Sequence, residues 1–137
     1  MNTTKVIAIS SKIFIGFSIL SLGYVSISSL VNPVATMELV STPLSNNDAI
    51  SSIRGIYGGV GLAISISLTF LLMTDITKGL SFLVLFWGAY AISRVITIMV
   101  DGPLGDFGNQ WLTIESILCL IGLVLLVLNN KQAIHKE

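Results

Sequence analysis

Leu80 to Val100 reads LSFLVLFWGAYAISRVITIMV, a mostly apolar run whose single charge is Arg94. A helix needs about 20 mostly apolar residues to cross the hydrocarbon of a bilayer, so this stretch is long enough for one crossing. Working outward, Ile9–Leu30, Ile50–Met73 and Trp111–Leu128 have the same character. Residues 31–49, 74–79 and 101–110 separate the four runs and carry the Pro, Gly, Asn and Asp expected of connections.

Composition agrees. Only 10% of the 137 residues are charged and 53% are hydrophobic, against about 25% charged in soluble domains. A soluble chain of this size could not cover so much apolar surface, because small domains bury only about 60–70% of what the unfolded chain exposes. The expectation is a single all-α domain over 1–137, an integral membrane four-helix bundle. The first run exceeds the ~7–15 apolar residues of a signal-peptide core and no A-x-A site follows it, so it reads as a retained helix.

Lysine placement sets the orientation. With four spans, Lys5, Lys12, Lys78, Lys131 and Lys136 fall on one side, and Glu38, Asp48, Asp101, Asp106 and Glu115 on the other. The lysine side is expected in the cytoplasm, with both termini. After the first span, Asn32-Pro33 reads as an N-cap and first helical position, and Val34, Met37 and Val40 recur at helical spacing. A short interfacial helix and an irregular loop are both open there. Ser45, Asn46 and Asn47 are candidate caps for the second span, and Asp48 suits the positive end of its dipole.

Several function classes lack their residues. The net charge is zero, so no global field draws nucleic acid. Cys119 is the only cysteine and His135, in the polar tail, the only histidine. That removes an intrachain disulfide, a cysteine or HExxH metal site and a membrane haem with histidine ligands. Cys119 has no base beside it and reads as a small apolar residue. No catalytic residue, metal or cofactor is expected, and the balance leans against an enzyme.

The unusual chemistry lies inside the spans, where ionisable groups are costly and mark pairing, a ligand or a wet cavity. Arg54 and Glu115 fall roughly 6–8 Å below the outer ends of their helices and Arg94 about 10 Å below its own, with Asp101 at the rim. Arg54, Tyr57, Gly58 and Gly61 share a stripe of the second span. Trp87, Tyr90, Arg94 and Asp101 share one in the third, and Trp111, Glu115, Cys119 and Gly122 one in the fourth. The first span offers Ser10, Ser18, Ser21 and Ser28. Lipid cannot satisfy such seams, so they are expected to face one another. Two readings of Arg54, Arg94, Asp101 and Glu115 compete. One is an ionic network that docks the helices. The other is a pocket in which an arginine takes an anionic or polar group, walled by Tyr57, Tyr90, Trp87 and Trp111. Gly55 and Gly59, in GxxxG spacing, together with Gly58 and Gly61, read as sites of close helix packing.

Asn47-Asp48 through Arg54-Gly55-Ile56-Tyr57-Gly58-Gly59, then Ser93-Arg94 with Asp101-Gly102-Pro103, then Glu115, resembles the bacterial domain-of-unknown-function family 4345. That family is associated with the DoxX-like group of four-helix membrane proteins, and the resemblance covers about Ile9 to Leu128. It implies a four-helix bundle in the bacterial inner membrane with a shared polar cluster, and no settled activity. Some DoxX-like proteins are accessory subunits of quinone-linked redox enzymes. This chain has no CxxC and no cofactor ligand set, so the analogy is one of fold. Three functions remain open. The first is a non-enzymatic bundle that binds a small hydrophobic or amphipathic molecule, or serves as an accessory subunit of a larger membrane complex. The second is a quinone-linked redox component, and the third an oligomeric transporter or channel. Against the last, Leu123–Leu128 offers no polar path. The partners expected are the bilayer, a lipid or quinone ligand, and further copies or subunits.

Overall fold

The computed structural model describes residues Thr3–Ile134, and among these every regular element is a helix. Helix α1 is Thr3–Val31, α2 Pro33–Glu38, α3 Asn47–Ile53, α4 Gly61–Thr74, α5 Ile76–Val100 and α6 Asp106–Ile134. Arg54–Val60, between α3 and α4, is a π-helix. Four stretches are long and apolar enough to cross a membrane: Thr4–Val31, Asn47–Thr74, Ile76–Val100 and Asp106–Gln132. The chain is therefore a multi-pass membrane protein. Most ends overrun the apolar windows by a few residues. Lys5 and Lys12 stay exposed on α1, as long cationic side chains do when they reach back to the interface. His135 and Lys136 lie outside the described residues.

Local signals account for the breaks. Asn32 Oδ1 accepts from the Ala35 amide at 3.2 Å, and Pro33 opens α2. The segment after the first span is thus a short helix through Glu38, and its Met37 is buried. Asn46, rather than Ser45 or Asn47, caps α3 by accepting from the Ala49 amide at 2.8 Å. A single residue, Asp75, separates α4 from α5, and its carboxylate accepts from the Lys78 amide at 3.1 Å.

The described residues form two compact units. One holds Gly16–Met73, and so the second half of α1, α2, α3, the π segment and most of α4. Its helices approach through small residues. A Cβ on Gly58 would stand 2.6 Å from Leu30 Cγ, and one on Gly61 would overlap Ser26 Oγ. Gly55 and Gly59 differ: a Cβ there would meet nothing within 4 Å. Close packing within this unit therefore runs through Gly58 and Gly61, not through the GxxxG pair.

The other unit holds the first half of α1 with α5 and α6. Here α5 and α6 run antiparallel in a register read from their contacts. Asn129 Nδ2 donates to Thr77 Oγ1 at 2.7 Å, Cys119 Sγ to the Val84 carbonyl at 3.5 Å, and Arg94 to Glu115. Gly122 admits Val84 and the Phe14 ring, which would lie 3.2 and 3.3 Å from an added Cβ. Glu115, Cys119 and Gly122 thus make up the face of α6 that meets α5.

Hydroxyl groups in an apolar medium need partners of their own. Ser26, Ser29, Ser65, Thr69, Ser81 and Thr97 each donate to the carbonyl four residues back, at 2.6–3.0 Å. The buried serines of α1 are Ser11, Ser18, Ser26 and Ser29. Of the face expected from the sequence only Ser18 belongs to them. Ser10, Ser21 and Ser28 are half-buried, since one position along a helix is a turn of about 100°.

Candidate functional site

Glu115 sits one helical turn beyond Trp111 on α6 and is 2% exposed. Its Oε2 accepts from Arg94 Nε at 2.6 Å and its Oε1 from Arg94 Nη2 at 2.8 Å. The guanidinium therefore presents one edge to both carboxylate oxygens, the bidentate arrangement that Arg forms and Lys cannot. Taking two charges out of water is expensive, and the attraction repays that cost only with geometry of this kind. Helical spacing supplies it: α5 and α6 pack antiparallel, and Arg94, roughly 9 Å before the end of α5 at Val100, meets Glu115, roughly 14 Å after the start of α6 at Asp106.

Two turns down α5 from Arg94 lies Trp87, 5% exposed, with its ring edge-on to Phe86 at 5.0 Å. The indole Nε1–H is buried and has no hydrogen-bond partner. Ser11 Oγ, in the same unit, is a second buried polar atom without one, and Ser18 Oγ is a third, in the other unit. Buried indole N–H groups ordinarily find an acceptor, so an orphan of this kind calls for an explanation. Tyr90 is 41% exposed and tilts against Phe86 at 5.0 Å, and Trp111 is half-buried against Phe107 at 6.1 Å.

Arg54 has different company. It is exposed, and its Nε donates to the Leu30 carbonyl at 2.9 Å, tying the π segment to the C-terminal turn of α1. That carbonyl lies at the negative end of the α1 dipole, where a cation is stabilised. Tyr57 is 36% exposed. Asp101 is exposed and caps α5 through its backbone amide, which donates to the Thr97 carbonyl. Among the described residues, the mutual neutralisation expected of two arginines and two acids is an ion pair for Arg94 and Glu115 alone. Neither Arg54 nor Asp101 makes one.

Sequence reading overlooked the Asn129–Thr77 bond and the enclosed hydroxyl of Ser11. Asn129 follows a long aliphatic run, and that position was the available signal. Ser11 differs from its neighbour Ser10 only in helical phase.

No curated protein and no solved structure matches the chain. A family model does match, over residues 10–126, a range that takes in Arg54, Trp87, Arg94 and Glu115. The chain belongs to the family described as Domain of unknown function (DUF4345).

Proposed function

We propose that this membrane protein is non-enzymatic and binds a small amphipathic molecule in the unit that contains α5 and α6, through the Trp87 indole. The observation that carries this reading is the buried Nε1–H of Trp87, a donor without an acceptor in an apolar setting. A ligand carbonyl, ether or hydroxyl oxygen would satisfy it, and an apolar body would suit the leucines buried on the same helix, Leu80 and Leu83. In this reading the Arg94–Glu115 pair is the tie that fixes α5 against α6. Its carboxylate is already occupied at both oxygens, which supports a structural task for it. Catalysis is disfavoured because Cys119 points its thiol at the Val84 carbonyl rather than at a base.

The test uses purified full-length chain in mild detergent, examined by native mass spectrometry and by extraction of bound small molecules. Wild type is expected to carry an amphipathic molecule that is not a phospholipid. Trp87→Phe keeps the ring and removes the N–H, and should lower its occupancy about fivefold, the worth of one hydrogen bond of about 1 kcal/mol. Helix content and Tm should be unchanged. Absence of any such molecule from wild type, or equal retention by Trp87→Phe, would overturn the reading.

A further inference from the structure

Arg54 is a cation on a helix that crosses the membrane, and no carboxylate among the described residues pairs with it. A charge left unpaired in hydrocarbon costs at least about 2.5 kcal/mol; the Leu30 carbonyl takes only the Nε–H, so the rest of the guanidinium is open to an anion from outside the described chain. We propose that Arg54 binds the phosphate of a phospholipid headgroup. The argument stands on Gly16–Met73 alone and is independent of the Trp87 reading.

Depth comes first. The span Asn47–Thr74 has 28 residues, roughly 42 Å at 1.5 Å per residue, which matches the ~40–45 Å of a bilayer with its headgroups. Arg54 is seven positions past Asn47, or about 10 Å down. The headgroup layer of one leaflet is about 5–7 Å thick, so the Arg54 backbone lies just inside the hydrocarbon and its long side chain reaches the phosphates.

Geometry comes second. The Nε–H bond to the Leu30 carbonyl, 2.9 Å, fixes the plane of the guanidinium at little entropic cost to a ligand. Both terminal amino groups are left without a partner among the described residues. Together they form the end-on fork that grips two oxygens of a phosphate. Arg94 offers a contrast, since it spends Nε and one terminal nitrogen on Glu115.

The surroundings come third. Arg54 opens the π-helix, a winding that recurs at functional sites. Gly59, five residues on and so about one π-turn along, is exposed and has open space where a side chain would be; Gly55 has the same. The π segment that carries Arg54 therefore has bare, open backbone at two positions and an exposed Tyr57 whose hydroxyl makes no hydrogen bond among the described residues. Exposed Ile56 and Val60 provide apolar contact for acyl chains.

The experiment is native mass spectrometry of the full-length chain titrated separately with phosphatidylglycerol, with diacylglycerol of the same acyl chains, and with phosphatidylglycerol in the presence of inorganic phosphate. Phosphatidylglycerol is expected to bind one-to-one, diacylglycerol at least tenfold more weakly, and equimolar inorganic phosphate not to compete. Arg54→Gln should weaken phosphatidylglycerol at least fivefold, with Arg54→Lys in between. Gly59→Leu keeps the arginine and the Leu30 contact but fills the bare surface, and should also weaken it at least threefold while Tm stays at the wild-type value. Equal binding of diacylglycerol, or wild-type phosphatidylglycerol binding by Arg54→Gln and Gly59→Leu, would overturn the site. Displacement by equimolar phosphate would overturn the lipid assignment in favour of a free anion.

Discussion

Arg94 and Glu115, 21 positions apart on antiparallel helices, share two hydrogen bonds of 2.6 and 2.8 Å, and the carboxylate is almost wholly removed from solvent while the guanidinium keeps 21% of its surface. The carboxylate is the more committed partner, because both of its oxygens are taken by the arginine edge.

Removing one member of this pair leaves an uncompensated buried charge. Arg94→Leu and Glu115→Leu are each expected to cost about 3–5 kcal/mol, whereas the double variant should recover most of that loss. Unfolding titrations in mixed micelles would measure it. Additive losses in the double variant would show that the two side chains are not coupled.

The glycines of the second span should separate into two classes. Gly61→Ala places a methyl against Ser26 Oγ and Gly58→Ala one against Leu30. Each is expected to cost about 1–3 kcal/mol. Gly55→Ala and Gly59→Ala meet open space and should be neutral or stabilise by up to about 1 kcal/mol. Thermal melts of the four variants side by side decide the matter.

Asp75 gives a pH dependence. The backbone hydrogen bond from the Lys78 amide, and then the Lys78 side chain 3.1 Å away, hold its carboxyl below the ordinary aspartate value of 3.8. A folded-state value below the unfolded one means the contribution is complete above 3.8 and fades as pH falls through the lowered midpoint. An NMR titration of the Asp75 carboxyl should give a midpoint below 3.8, and Lys78→Ala should move it back toward that value. A midpoint at or above 3.8 in wild type would contradict the cap.

Orientation can be read with cysteine chemistry. In a Cys119→Ala background, Asp106→Cys is expected to react with a membrane-impermeant maleimide added to intact cells, and Lys78→Cys only after lysis, if lysine-rich ends face the cytoplasm. The reverse pattern would place both termini outside.

Capping offers a smaller check. Asn46→Ala removes the acceptor for the Ala49 amide at the start of α3 and should cost about 1 kcal/mol. Faster hydrogen exchange confined to the first turn of Asn47–Ile53 would accompany it.

Hydropathy and punctuation in the linear chain were enough to specify four crossings, because apolar length is a local property of neighbouring residues, whereas after Asn32-Pro33 they left a short helix and a loop both open and the structure chose the helix. The costly charges could also be located that way, since any ionisable group inside a span stands out whatever its partner. Tertiary structure decided which of those charges meet. Arg94 was free on paper to pair with Asp101 on its own helix, and the antiparallel register of α5 on α6 gave it Glu115 instead. It also decided that Gly58 and Gly61 carry the close packing while Gly55 and Gly59 stay open, because only the former pair faces Leu30 and Ser26 of α1. Which charge finds a partner and which glycine face meets a neighbour both depend on how segments distant in sequence are set against each other, and a one-dimensional pattern carries neither.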